Sequence, residues 1–449
     1  MKGSRGKGSR GVGVHRGRVG AGEAVGRPSA DRPPSPGRRI DADAWGATPE
    51  APAQPVVGQG PAMSRRSARR GETGTVPGDH PPARAVAWAR APATSANLGP
   101  GFDCLGMALP RWELRAWLTP AEVDPRRWSC TEHQVRWNLH GRGPAAAPPE
   151  ENLVVRAICA AFARAGQAHP PAWRLAIRST IPPARGLGSS AAAIVAGLAV
   201  ANQWLRRAGR PLTPGELLQL AADLEGHADN VAAALLGGVV LAWREADAAQ
   251  RWRATSLMLA NRWLAVLAIP AVSGYTHEAR GALPATVSHG DAAFNVARVG
   301  LLVAALTAGR GELLRQAMED RLHQPYRMRL FPWLSTLIQR ALAAGADGAC
   351  LSGAGPSVLA LVRPERARGV ARALASGLAA AGIDGRVVLC PVGGPGCRSG
   401  LVVRRAARRP PEGRRAPSRG DDFVPESQGL AAGLACLDGP AAARVTGPA

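Results

Sequence analysis

The sequence predicts an α+β fold in two lobes with unstructured ends, and three observations carry that reading. Between about residues 84 and 403, short segments with apolar residues at every second position alternate with longer segments at helical spacing. A glycine-rich turn at Arg185–Ser190 runs straight into a series of helix formers. Outside this body, residues 1–83 and 404–449 are dominated by Gly, Arg, Ser, Pro and Ala, with almost no periodic apolar pattern. Such segments bury too little surface to offset their ordering entropy, so both ends are expected to be disordered. At 449 residues the chain has room for two ordinary domains besides these ends. The expected boundaries are 84–260 and 261–403, with the seam falling near 250–265. Met63, just before Ser64-Arg65-Arg66, is an alternative start that would leave residues 1–62 outside the natural chain.

Taken in order, Ala85–Ala91 and Glu113–Leu118 read as short strands, and Trp173–Ser179 alternates apolar and polar residues as a half-buried strand does. Asn152–Ala165 and Ser190–Ala208 carry helical spacing, with Ser189 and Ser190 as candidate N-caps of the second. Thr213-Pro214-Gly215-Glu216 opens a further helix with a capping-box pattern. After Gly237-Gly238, Val239–Trp243 reads as a strand, and Trp263–Pro270 as a fully buried one. Residues Phe294–Ala308, Glu312–Arg321 and Pro332–Ala344 look helical. Cys350 and Val358–Val362 then supply strands around a glycine turn.

Composition excludes several classes of function. The formal net charge of +23 would suit a nucleic-acid binder. Yet lysine occurs only at Lys2 and Lys7, and few aromatics accompany the arginines. Arginine everywhere, with abundant Ala, Gly and Pro, points to a coding bias toward G and C, and no nucleic-acid partner is expected. The same absence removes Walker A and protein-kinase sites from residues 8–449, because both need a lysine on the phosphates. Phosphate charge must then be met by backbone amides, a metal ion and arginine. Cysteines 104, 130, 159, 350, 390, 397 and 436 are odd in number and show no Cys-x-x-Cys pairing, which suggests neither a disulfide framework nor zinc. That suits a reducing cytoplasm. No stretch is expected to reach the roughly 20 apolar residues of a membrane span. The best candidates, Ala191–Ala201 and Val231–Trp243, are short and interrupted.

Five clusters carry chemistry. The segment Pro182-Pro183-Ala184-Arg185-Gly186-Leu187-Gly188-Ser189-Ser190-Ala191-Ala192 has the make-up of a phosphate-binding loop. Its glycines let backbone approach an anion, and the helix that follows offers unpaired N–H groups and a positive dipole end. The same letters also describe a Gly-Ser turn capping a buried Ala-rich helix. Pro92–Gly106 is packed with turn formers and reads as a loop. Glu225-Gly226-His227-Ala228-Asp229-Asn230 sets a carboxylate, an imidazole and an Asp-Asn pair within six residues, either a site wall or a capped helix end. In Ser273–Arg280, Arg280 could clamp a carboxylate through its planar fork. Leu351–Ser357 is a glycine turn between apolar strands, suited to packing against the phosphate loop or to forming a tight hairpin.

In this order and spacing the pieces resemble the GHMP kinase superfamily and, within it, the homoserine-kinase family, over about residues 84–403. The motif Pro-x-x-x-Gly-Leu-Gly-Ser-Ser-Ala is met in full from Pro182 to Ala191, and a third, Gly-rich motif at Ser352–Ser357. Asn97-Leu98-Gly99-Pro100-Gly101-Phe102-Asp103 is similar to the homoserine-kinase form of the first loop and lacks the lysine of the isoprenoid kinases. Ala228, where Pro is usual, and Ala354, where many members carry Ser, depart from the pattern. The resemblance implies a ribosomal-S5-domain-2-like N-terminal lobe and a ferredoxin-like C-terminal lobe. It also implies transfer of phosphate from ATP to the L-homoserine hydroxyl, on the route to threonine. By the same resemblance Pro182–Ala192 would hold ATP, and Ser190 and Glu225 would hold Mg²⁺. Asn97, Asp103, Asn230, Arg280 and Arg327 would bind homoserine. Asn230 would orient the attacking hydroxyl, with Asp229 a rival as general base. A homodimer is the usual state of that family.

Overall fold

The computed structural model describes residues 84–120, 136–140, 151–168, 172–246, 248–260, 263–274, 276–404 and 443–445, all within a unit running from Pro77 to Ala449. Apart from Arg404 and Ala443–Val445, the two ends read as disordered lie outside the described residues. In chain order the elements are β1 (Arg84–Asn97), β2 (Gly101–Pro120), β3 (Arg136–His140), α1 (Leu153–Arg164), β4 (Ala172–Ser179), α2 (Ser189–Arg207), α3 (Pro214–Glu225) and α4 (Asp229–Leu236). Next come β5 (Val239–Arg244), β6 (Trp252–Leu257), β7 (Leu264–Pro270), α5 (Thr276–Gly281), α6 (His289–Ala308), α7 (Leu314–Ala317), α8 (Gln324–Arg327) and α9 (Trp333–Ala343). Last are β8 (Gly348–Leu351), β9 (Val358–Val362), α10 (Ala367–Ala380), β10 (Gly385–Pro391), β11 (Arg398–Arg404) and β12 (Ala443–Val445).

Two sheets result. The first runs β11-β1-β2-β4-β3, with β5 on the early part of β2 and β6 on β5; the second runs β12-β10-β7-β9-β8. The chain passes from one to the other between β6 and β7. After β10 it returns to the first sheet, where β11 pairs with β1 from Arg398 to Arg404. β7 explains why its sequence is apolar throughout. Ala265, Leu267 and Ile269 face the first core, while Val266 and Ala268 face the core under α9 and α10.

Helix α2 is the centre of the first core. Ala191 through Asn202 are all buried, as in a helix covered on every side. It touches α1 so closely that a Cβ on Gly197 would lie 2.5 Å from the Val154 carbonyl. The capping box expected at the start of α3 is complete in Thr213 and Glu216, and α1 is capped by Asn152, which accepts from Val154 and Val155 and which the sequence reading places inside the helix. The cap of α2 differs: Gly188 takes that position at φ 63°, and Ser189 and Ser190 lie inside the helix.

Three further expectations change. Pro92–Gly106 is a hairpin, with β1 and β2 staying paired through register shifts at Pro92/Ala93 and Ala96/Asn97. Glu312–Arg321 holds one turn of 3₁₀ helix and the four residues of α7. Among the described residues, α6 is long and apolar enough to cross a membrane by length and composition, contrary to expectation, with mean hydropathy 1.4. Its apolar residues are spread along the whole helix, and only Asp291 and Arg298 carry formal charge.

Candidate active site

A cleft with about 570 Å³ of open space gathers four of the five clusters together with Arg327, and the fifth adds Gly274 and Arg280. Its wall includes Asn97, Asp103, Ala184–Ser190, Glu225, Asp229, Asn230, Arg280 and Arg327. Pro182, Pro183, Ala191 and Ala192 do not line it, and Ala191 and Ala192 are fully buried beneath it.

The loop entering α2 is built on backbone shape. Ala184, Gly186 and Gly188 all have positive φ, at 52°, 68° and 63°. A Cβ on Gly186 would overlap the Ser352 carbonyl, and one on Gly188 would overlap the Thr94 hydroxyl. Glycine is required at both positions for space as well as conformation. Behind the loop, the Ser352 hydroxyl donates 2.7 Å to the Gly186 carbonyl, which is the close packing expected of the Ser352–Ser357 turn. Arg185, which also lines the cleft, is held by several hydrogen bonds. Its Nε donates to the Pro270 carbonyl at 2.8 Å, its Nη1 to Pro183, Ala184 and Ser273, and its Nη2 to Ala271. The guanidinium therefore ties the loop to the end of β7.

Around the junction of α3 and α4 the side chains form two neighbouring hydrogen-bonded groups. The Ser190 hydroxyl donates to Glu225 Oε1 at 2.5 Å. Asp229 Oδ1 lies 2.5 Å from His227 Nδ1 and accepts from the Asn230 amide at 2.6 Å. The Thr94 hydroxyl donates to Asn230 Oδ1 at 2.7 Å. Burial raises the Glu225 carboxyl, with Ser190 and His227 opposing. Burial also works to lower the His227 imidazole, but the hydrogen bond and charge of Asp229, joined by Glu225 and Asp103, prevail and raise it.

Asp103 and Arg280 come from different sheets' connections and meet as a bidentate ion pair, with contacts of 2.8 and 3.1 Å. Asp103 is presented by a left-handed residue, φ 56°, just past the hairpin turn. Asn97 holds that turn and does not face the cleft with a free amide. Its Nδ2 donates to the Gly353 carbonyl at 2.9 Å and its Oδ1 accepts from the Asp103 backbone at 3.1 Å. Arg327 is 2 % exposed and hydrogen-bonds through Nη1 to His323 Nδ1 and through Nε to Ala279. Burial and then the neighbouring Arg280 lower its pKa to about 10, which leaves it a cation at neutral pH. His323 is itself buried and pushed toward neutrality, so its Nε2 donates to the Gly99 carbonyl while Nδ1 accepts from Arg327. Phe102 stacks on His323 and lies under both guanidiniums.

Sequence reasoning missed Thr94, Phe102 and His323 as parts of this site, and named His227 only within its motif. Thr94 and Phe102 stood inside quoted segments, but nothing local marks what they touch. His323 lies one residue before Gln324-Pro325-Tyr326-Arg327, at the i−4 position to Arg327, the spacing of neighbours on a helix.

Residues 152–238 match the family described as GHMP kinases N terminal domain, and 302–380 that described as GHMP kinases C terminal. The homoserine kinase of Synechococcus sp. (strain CC9311) is 44% identical over 301 residues, which cover 66% of this chain and 90% of that protein. That of Desulfitobacterium hafniense is 41% identical over 309 residues, covering 68% and 97%. Among solved structures, a homoserine kinase from Cytophaga hutchinsonii aligns with a TM-score of 0.61 at 30% identity, over 70% of this chain and 97% of that one. A mevalonate diphosphate decarboxylase from Staphylococcus aureus, 15% identical with a TM-score of 0.52 over 70% and 98%, shares the fold alone. With identity above two-fifths along nearly the full length of such relatives, and both kinase domains present in order, the chain belongs to the homoserine kinase family of the GHMP kinases.

Proposed function

We propose that this kinase transfers the γ-phosphoryl group of ATP to the side-chain hydroxyl of L-homoserine, giving O-phospho-L-homoserine for threonine synthesis. The observation that most supports this reading is a single cleft joining an anion-binding turn to a carboxylate and two guanidiniums, the charges that complement an amino-acid zwitterion. The Gly186–Ala191 backbone, with the first-turn N–H groups of α2, would hold the β- and γ-phosphates. Pro182–Arg185 would shape that turn from behind, and Ala192 would support it from the core. Ser190 and Glu225 offer a hydroxyl and a carboxylate side by side, a hard oxygen pair that fits magnesium. Bound there, Mg²⁺ would neutralise phosphate charge.

Asp103 would exchange its Arg280 partner for the substrate ammonium, while Arg280 and Arg327 take the α-carboxylate. Asn97 would act one step back, fixing the Asp103 backbone. Asn230 would hold the attacking hydroxyl in line. Asp229 Oδ1 already accepts from His227 and from the Asn230 amide, so in this reading it positions its neighbours and the reaction proceeds without a dedicated base. Positioning plus electrostatic stabilisation is sufficient for a loose phosphoryl-transfer transition state. The same reading puts the enzyme in the cytoplasm as a homodimer, with neither nucleic acid nor membrane as partner. A coupled ADP-release assay should show turnover with L-homoserine and none with mevalonate-type or sugar alcohols. ADP release with one of those and not with L-homoserine would move the chain elsewhere in the superfamily.

A further inference from the structure

We propose that Thr94 is a positioning residue, whose hydroxyl sets the rotation of the Asn230 side-chain amide so that Nδ2 is a fixed donor toward the substrate hydroxyl oxygen. The proposal rests on the reading of Asn230 given above and specifies which end of that amide works. Three observations meet at this atom. The Thr94 hydroxyl donates 2.7 Å to Asn230 Oδ1, which occupies the acceptor end of the amide. Thr94 is completely buried, and its own backbone N–H donates 3.1 Å to the Leu187 carbonyl inside the phosphate loop. Finally, a Cβ on Gly188 would overlap the Thr94 hydroxyl and lie 3.0 Å from Asn230 Oδ1, so the loop, the strand and α4 close on one point.

With one lone pair of Oδ1 engaged by Thr94, the oxygen end of the amide is held toward the strand. Nδ2 is then the end offered to the substrate hydroxyl. The far side of Asn230 is fixed too, since its backbone N–H is held by Asp229 Oδ1 at 2.6 Å and Nδ2 has only a 3.4 Å contact to that oxygen. An amide free to flip would present donor and acceptor in turn; Asp229 Oδ1, which can only accept, favours Nδ2 on its side, and the Thr94 hydroxyl then engages Oδ1 and fixes the rotation. The attacking hydroxyl is thereby gripped by its lone pair, and its proton is left unconstrained by Asn230. Thr94 touches no substrate atom in this scheme, and it acts wholly through the amide.

A double-mutant cycle tests this directly. Thr94→Val keeps the shape of the side chain and removes the hydroxyl; kcat should fall about tenfold or more, the size of one lost buried hydrogen bond, with KM for ATP and L-homoserine nearly unchanged. Thr94→Ser should restore it. In an Asn230→Ala background, Thr94→Val should cost nothing further, because its only route to the reaction is gone. Full additivity of the two losses, or a serine variant as slow as the valine one, would overturn the proposal. A second readout does not depend on turnover: the Asn230 side-chain ¹⁵NH₂ signals, assigned by their loss in Asn230→Ala, should shift in Thr94→Val and stay in Thr94→Ser. Unmoved signals would refute the hydrogen bond while leaving the substrate reading intact. An enzyme inert to L-homoserine whose signals do move would do the reverse.

Discussion

The two halves of the cleft are made of different material. The side proposed for phosphate is backbone: five consecutive residues, Gly186 to Ser190, whose shape is dictated by two left-handed glycines and by carbonyls packed behind them. The side proposed for the amino acid is side chain: Asp103, Arg280 and Arg327 arrive from three distant segments and are aligned by Asn97, Phe102 and His323. A backbone site tolerates most changes except those that add a Cβ. A side-chain site depends on individual charges and on the groups that orient them.

That contrast is broken most sharply at Gly188. Gly188→Ala adds a Cβ into the Thr94 hydroxyl at a positive φ, and it should abolish measurable turnover while lowering stability by about 1–3 kcal/mol, read by thermal denaturation. An active, stable alanine variant would mean that the loop is not held by its shape. Asn230→Ala should come next, lowering kcat about a hundredfold or more with little change in KM for ATP. An unchanged kcat would remove Asn230 from the reaction. Asp103→Asn should raise KM for L-homoserine roughly tenfold to a hundredfold, the loss of one charge-assisted contact, and leave KM for ATP alone. If ATP binding suffers instead, the hairpin belongs to the other half of the cleft.

Two smaller effects sharpen the comparison. Arg185→Ala should cost about 1–2 kcal/mol of stability through its lost carbonyl contacts, yet leave KM for ATP within a few-fold. A large rise in that KM would make the guanidinium a phosphate ligand after all, and the loop would no longer be a backbone site. Cys104, next to Asp103, is pushed up to about 11 by burial and then by Asp229 and Asp103. Only about one thiol in a thousand is ionised at pH 8, so iodoacetamide should spare it there and label it faster as pH climbs. Peptide mapping by mass spectrometry reads this, and quick labelling at pH 8 would show the site wall to be open.

The same division explains what could be read in advance. The loop, the capping box at Thr213, and the Glu225–Asn230 cluster were legible because each is encoded by neighbours in sequence. The partners of Asn97 could not be read from its motif alone. Its amide is satisfied by Gly353, 256 residues away, and only the folded chain reveals that it is a clamp. Arg185 was hidden for a related reason: besides the neighbouring Pro183 and Ala184 carbonyls, its partners are the Pro270 and Ala271 carbonyls and the Ser273 hydroxyl, 85 or more residues downstream. The Pro92–Gly106 hairpin was hidden because small polar turn formers signal a loop, yet pairing with β2 continues across two register shifts. The apolar character of α6 over its full length was harder to read, because Asp291 and Arg298 interrupt its first half.

The central claim is that main-chain amides at the start of α2 hold the nucleotide while side chains from elsewhere hold the amino acid. A crystal structure with a non-hydrolysable ATP analogue, magnesium and L-homoserine tests both parts at once. The account predicts the triphosphate on the Gly186–Ala191 backbone, the ammonium on Asp103 and the carboxylate on Arg280 and Arg327. Phosphates seated away from that turn, or an amino acid bound outside this cleft, would contradict it.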